Sequence, residues 1–126
     1  MMEAKSGLRV LVVEDEPMIA MFLEDTIEML GLQIVGPVAQ LDEALAFAFK
    51  GGFDCAILDI NIRGGNSYAV ADLLRERGCP FVLSTGYSNW SIPKHLMEEK
   101  RLNKPYSTSE LEFELRNLCT RVTSGQ

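Results

Sequence analysis

The sequence predicts an α/β domain, a doubly wound parallel sheet in which five strands alternate with five helices. Three observations carry this. Short runs rich in Val, Ile and Leu recur along the chain and end at turn residues, and such continuous apolar runs suit strands covered on both faces. Stretches with apolar residues at helical spacing lie between them. Gly31, Gly51-Gly52 and Gly78 stand where successive helices must stop.

Residues 8–13, broken only by Arg9, form the first strand, closed by Glu14-Asp15-Glu16. Pro17 suits the first turn of a helix, and acidic residues just ahead of it complement the helix dipole. Ile19, Phe22, Leu23, Ile27 and Leu30 then trace one helical face. Gln33 to Val38 is the second strand, and Pro37 points to a sheet edge. Leu41, Ala44, Leu45 and Ala48 give the second helix. Cys55 to Asp59 is the third strand, a buried run ending abruptly in a carboxylate. Gly64-Gly65 reads as a flexible loop, since the pattern of a phosphate-cradling loop is missing. The third helix covers about residues 67–77, with Val70, Leu73 and Leu74 inward.

Phe81 to Thr85 is the fourth strand. A fourth helix is expected within residues 87–100, short because Pro93 interrupts it and only Ile92, Leu96 and Met97 form an apolar stripe. Arg101-Leu102-Asn103 is a short fifth strand before Lys104-Pro105. Ser107 followed by Glu110 fits a capping box, and Leu111, Leu115, Leu118 and Val122 line the fifth helix. Right-handed crossovers with the flavodoxin-like strand order 2-1-3-4-5 fit this pattern best.

The chain has 126 residues, a length suited to one domain, here 1–126 with its core at about 8–120. No apolar run approaches the ~18 residues a membrane span needs, and the first residues lack an apolar signal core. A cytoplasmic protein is expected. The net charge of −6 argues against a nucleic-acid surface. Cys55, Cys79 and Cys119 have no metal-type spacing and form no disulfide framework. His95 is the single histidine, which disfavours a His-based zinc site or a Ser/His/Asp triad; it reads as a surface residue.

The polar residues of interest fall at strand ends. Glu14 and Asp15 end the first strand, Asp59 the third, Thr85 the fourth, and Lys104 follows the fifth. In a parallel sheet these ends share one edge, and the order 2-1-3-4-5 makes Asp15 and Asp59 neighbours where the winding reverses. Gathered carboxylates stay ionised only with a cation. Oxygen ligands suit Mg²⁺, a lysine suits a phosphoryl oxygen, and an aspartate can accept a phosphoryl group covalently.

Val12-Val13-Glu14-Asp15-Glu16, Ile57-Leu58-Asp59-Ile60-Asn61, Leu83-Ser84-Thr85-Gly86 and Lys104-Pro105-Tyr106 resemble the receiver domains of bacterial two-component response regulators. The resemblance runs from about residue 8 to residue 119. Thr85-Gly86-Tyr87 is also similar to the stand-alone FAT GUY subgroup, with Leu83-Ser84 where that subgroup has Phe-Ala. The resemblance implies that Asp59 accepts a phosphoryl group from a histidine kinase or phosphotransfer protein. It implies Mg²⁺ bound by Asp15, Asp59 and the backbone carbonyl of Asn61, with Glu14 contributing directly or through water. Thr85 would swing toward the phosphoryl oxygens and Lys104 would pair with them. A cis peptide is expected between Lys104 and Pro105.

The implied protein is a stand-alone receiver that takes on and loses its own phosphoryl group, rather than an enzyme acting on other molecules. It would signal by phosphorylation-dependent protein binding or serve a phosphorelay. Two alternatives compete: a haloacid-dehalogenase-like phosphatase and a pseudo-receiver that only binds proteins. Asn61 stands where the phosphatase would need a second aspartate, and the full set Asp15, Asp59, Thr85 and Lys104 argues against the pseudo-receiver. One departure stands out. Many receivers carry an aromatic residue where this chain has Arg101, whose guanidinium cannot enter an apolar slot unpartnered. The expected switch therefore lies in the segment between Thr85 and Lys104, around Thr85 and Tyr87.

Overall fold

The computed structural model describes residues 7–86 and 92–123. Five parallel strands form the sheet: β1 (Arg9–Val13), β2 (Gln33–Val38), β3 (Cys55–Asp59), β6 (Phe81–Thr85) and β7 (Arg101–Asn103). Their order is β2-β1-β3-β6-β7, which is 2-1-3-4-5 once a small hairpin is set aside. That hairpin, β4 (Asn61–Ile62) with β5 (Gly65–Asn66), is antiparallel. It replaces the flexible loop expected at Gly64-Gly65. Gly64 has φ +96°, a turn conformation that side chains with a Cβ rarely adopt.

Among the described residues, four α-helices cover the sheet: α1 (Pro17–Met29), α2 (Leu41–Lys50), α3 (Tyr68–Glu76) and α4 (Thr108–Thr123). Strand residues alternate between two cores. Val10, Val12, Ile57 and Val82 pack with Leu23 and Ile27 of α1 and Leu111, Leu115 and Leu118 of α4. Leu11, Val13, Leu58 and Leu83 pack with Ala44 and Ala48 of α2 and Val70 and Leu74 of α3. The central strand β3 is buried at every position, as its unbroken apolar run requires.

The fourth of the five expected helices is not an α-helix among the described residues. Pro93 precedes a single 3-10 turn, Lys94–Leu96. Ile92 and Leu96 are buried in the α2/α3 core, whereas Met97 is about half exposed. Two apolar anchors are too few for an amphipathic helix face, and the proline cannot supply the N–H a continuing helix would need. Tyr87 and Trp90 lie outside the described residues. Polar contacts tie this turn to α3: the His95 Nε2 lies 2.7 Å from Asp72 Oδ1, Arg75 donates to the His95 carbonyl, and Arg75 lies 3.8 Å from Glu99.

β2 lies at the sheet edge, as Pro37 suggested. Its pairing with β1 shifts register between Leu11 and Val13. Gly36 sits at this irregularity with φ +100°, and a Cβ there would lie 2.9 Å from the Val12 carbonyl oxygen. The Gly36-Pro37 and Lys104-Pro105 peptides are both cis, the first unforeseen. Among the described residues no helix is long and apolar enough to cross a membrane.

Candidate functional site

Backbone hydrogen bonds carry the strand pairing up to the site. Glu14 N–H donates to the Val38 carbonyl at 2.9 Å, Ile60 N–H to Ser84 at 2.9 Å and Lys104 N–H to Thr85 at 2.7 Å. Side chains are thereby placed by the strands rather than by loops. Counting by twos, Glu14 follows Val12, Asp59 follows Ile57, Ser84 follows Val82 and Lys104 follows Leu102, all four predecessors belonging to the α1/α4 core. The period of a strand therefore sets Glu14, Asp59, Ser84 and Lys104 in one row on that side.

Ser67 fixes the other side of Asp59. It is fully buried, its hydroxyl donates to the Asp59 carbonyl at 2.7 Å, and its N–H donates to the Ile60 carbonyl at 2.9 Å. The start of α3 is thus tied to the end of β3. The loop carrying Lys104 is fixed by the capping box. Ser107 N–H donates to Glu110 Oε1 at 2.8 Å, and Glu110 N–H donates to Ser107 Oγ at 3.0 Å.

Glu14, Asp15 and Asp59 each offer a carboxylate oxygen within 4.8 Å of the others. Lys104 Nζ lies 3.2 Å from both Glu14 oxygens and 3.1 Å from Asp59 Oδ2. Glu14 is only 2% exposed and Asp59 5%. Burial, then the charge of Asp59, pushes the Glu14 carboxyl up to about 7, against the opposing pull of Lys104. Burial also raises Asp59, with Lys104 opposing. Burial pulls Lys104 down, but Asp59 and Glu14 outweigh it and hold its pKa above the usual lysine value.

A cleft of about 490 Å³ opens over these groups, bordered by Asp15, Asp59, Asn61, Gly86, Lys104 and Pro105. The structure thus brings together Glu14, Asp15, Asp59, Asn61 and Lys104. Thr85 ends β6 beside them, 1% exposed, with no hydrogen-bond partner for its hydroxyl among the described residues. The donor set fits a hard cation. Three crowded carboxylates, two with raised pKa, carry more negative charge than one lysine balances, and oxygen donors of this kind select Mg²⁺ over softer metals. His95 stays on the surface, as expected, paired with Asp72. Arg101 keeps its guanidinium out of the core and donates to the Met97 carbonyl at 3.1 Å.

Two neighbours were not singled out from the sequence, Ser84 and Tyr106. Tyr106 lies against Phe22 of α1, ring centroids 5.9 Å apart. Ser84 is 1% exposed. A hydroxyl in an otherwise apolar strand was the available signal for Ser84. For Tyr106 it was an aromatic carrying a polar tip directly after Lys104-Pro105.

The response regulator receiver domain family matches residues 10–116 of this chain. The phyllosphere-induced regulator PhyR of Methylorubrum extorquens is 37% identical over 87 residues, covering 67% of this chain. The chain spans only 33% of that regulator's length. SdrG from Sphingomonas melonis Fr1, solved in solution, is 38% identical with a TM-score of 0.77, covering 94% of this chain and 98% of that one. The receiver domain of the sensor histidine kinase PA1611 from Pseudomonas aeruginosa shares the fold at 21% identity and a TM-score of 0.72. It covers 91% of this chain and 99% of that one, and its structure holds a magnesium ion in the active-site cleft. With the family match reaching from the first strand into the last helix, this chain belongs to the response regulator receiver domains, the signalling modules of two-component systems.

Proposed function

We propose that this receiver takes a phosphoryl group onto Asp59 from a histidine kinase or phosphotransfer protein, in a Mg²⁺-dependent reaction. It then signals through phosphorylation-dependent protein binding or phosphorelay. The supporting observation is the gathering of Glu14, Asp15 and Asp59 within 4.8 Å under a cleft that Lys104 enters from β7. The magnesium seen in the PA1611 receiver agrees with this donor set. Glu14, Asp15, Asp59 and the Asn61 carbonyl are the groups that would hold the ion. When bound, Mg²⁺ neutralises the crowded carboxylates and the incoming phosphoryl oxygens.

An Asp59 carboxylate oxygen attacks phosphorus. The bond between phosphorus and the donor's histidine nitrogen breaks, and its electron pair leaves with the imidazole. The product is an acyl phosphate. Lys104 turns its ammonium from the carboxylates to a phosphoryl oxygen, a charge-assisted contact. Thr85, whose hydroxyl has no hydrogen-bond partner among the described residues, donates to another. The release of Lys104 and the capture of Thr85 alter the ends of β6 and β7, and these flank the 3-10 turn at residues 94–96.

The test is incubation of the full chain with acetyl phosphate and Mg²⁺, followed by intact-mass measurement. One added phosphoryl mass, mapped to Asp59, is expected. Turnover of the donor with no adduct would indicate a phosphatase, and no reaction a binding module without phosphoryl chemistry.

A further inference from the structure

Among the groups that would hold Mg²⁺, the Asn61 carbonyl belongs to the backbone, so no change of side-chain rotamer can bring it into place. The β4–β5 hairpin sets its direction. Ladder bonds in an antiparallel pair alternate, and every second residue turns its N–H and C=O away from the partner strand. Ser67 N–H donates to the Ile60 carbonyl at 2.9 Å, the ladder bond next outside the paired residues Asn61 and Asn66. Asn61 and Asn66 therefore form a non-hydrogen-bonded pair. The Asn61 carbonyl is turned off the hairpin, and Asn61 borders the cleft.

The hairpin is anchored at both ends and at its tip. β4 follows directly on β3. β5 is tied to the start of α3, where Tyr68 N–H donates to Asn66 Oδ1 at 3.1 Å. The tip rests on α2. Leu41 N–H, one of the donors that a helix start leaves without an intrahelical partner, donates to the Arg63 carbonyl at 2.9 Å, and Gln40 forms a β-bridge with Arg63. The Leu41 side chain lies against the turn: a Cβ on Gly64 would stand 3.3 Å from Leu41 Cβ, and one on Gly65 would stand 3.4 Å from Leu41 Cδ2. Leu41 and Ile62 both join the α2/α3 core.

A hairpin of two-residue strands is marginal by itself, and the two glycines at its tip lose more freedom on ordering than any other residue. Its shape therefore depends on what it rests against. We propose that Leu41 is a positioning residue for Mg²⁺: from the first turn of α2 it latches the hairpin tip and so fixes the Asn61 carbonyl beside Glu14, Asp15 and Asp59. This rests on the Mg²⁺ binding proposed above. The backbone ligand is ordered when the chain folds rather than when the ion arrives, which favours binding. Such coupling is reciprocal, so Mg²⁺ in turn steadies the start of α2.

The test is calorimetric Mg²⁺ binding to the full chain as wild type, Leu41→Ala, Leu41→Met, Gly64→Ala and Leu45→Ala, each held below its melting temperature. Leu41→Ala withdraws the side chain from the turn, and Gly64→Ala sets a Cβ against it at a φ of +96°. Both should raise the Kd about fivefold, the low end of coupling between sites. Leu41→Met, close to leucine in volume, should recover binding near the wild-type Kd. Leu45→Ala opens the same core one turn further along α2 and should lower stability without moving the Kd. In the wild type, Mg²⁺ should slow hydrogen exchange at the Leu41 amide. A wild-type Kd in Leu41→Ala or Gly64→Ala overturns the latch and leaves the metal site standing. So does a Leu45→Ala or Leu41→Met chain as weak as Leu41→Ala, or a Leu41 amide indifferent to Mg²⁺. A wild-type chain that binds no Mg²⁺ overturns both.

Discussion

Glu14→Gln is expected to stabilise the metal-free chain at neutral pH although it removes a partner of Lys104. The Glu14 carboxyl rises from 4.5 to about 7 on folding, through burial and the nearby Asp59 charge. A carboxyl whose folded pKa exceeds its unfolded value binds its proton more tightly when folded, so stability falls as pH rises between the two values. At about 1.4 kcal/mol per pH unit, the wild type should lose about 3 kcal/mol relative to Glu14→Gln between pH 4.5 and pH 8. Asp59, raised in the same direction, adds a slope shared by both proteins. Lys104 is raised above 10.5, so its contribution is fully present throughout this window and is lost only at higher pH. Urea unfolding in EDTA at a series of pH values measures the difference directly. Excess Mg²⁺ should shrink it, because a bound cation favours the charged carboxylate. A wild-type stability that holds level with, or climbs against, that of Glu14→Gln as pH rises would refute the reasoning.

Asp59→Asn should end acetyl phosphate labelling at this site, read by intact mass, with the chain still folded by circular dichroism. Excess EDTA should suppress labelling of the wild type, and Asp15→Asn should weaken Mg²⁺ binding more than Glu14→Gln does by calorimetry; the reverse order would exchange their roles. Gly36→Ala should cost of order 1–3 kcal/mol of unfolding free energy, since its Cβ would meet the Val12 carbonyl at φ +100°. Ser107→Ala should cost about 1 kcal/mol through loss of the cap to Glu110, measured by chemical denaturation.

The sheet was legible because its strands are continuous apolar runs whose burial leaves little choice of partner or face. Arg101–Asn103 was readable even at three residues, since Lys104-Pro105 closes it. The capping box was readable because its two residues specify each other. The 3-10 turn was not, because Ile92, Leu96 and Met97 share helical spacing whether or not the backbone completes an α-turn. Only burial shows that Met97 takes no part. The β4–β5 hairpin escaped because two-residue strands carry no periodicity. At the site, the charged residues announced themselves at strand ends. Ser84 and Tyr106 did not, since a serine in a strand and an aromatic beside a core are each ordinary alone. The place of Ser84 depends on the row it shares with Glu14 and Asp59, which requires the register of β1, β3 and β6.

The contacts between α3 and residues 94–99 set a mechanical scale. Asp72, His95 and Arg75 are largely exposed at their side chains, and exposed ion pairs contribute roughly 0–1 kcal/mol each. Leu96, fully buried, is the apolar peg of the turn itself, with Ile92 anchored in the same core just before it. Withdrawing one buried leucine costs roughly 1.5–3 kcal/mol, and coupling between distant sites is typically about 1–3 kcal/mol. The two energies match. Freeing residues 94–96 would mean withdrawing Leu96 while Ile92 still anchors the chain just before the turn. The corner at residues 94–96 is thus held at an energy on the scale of a typical coupling between sites.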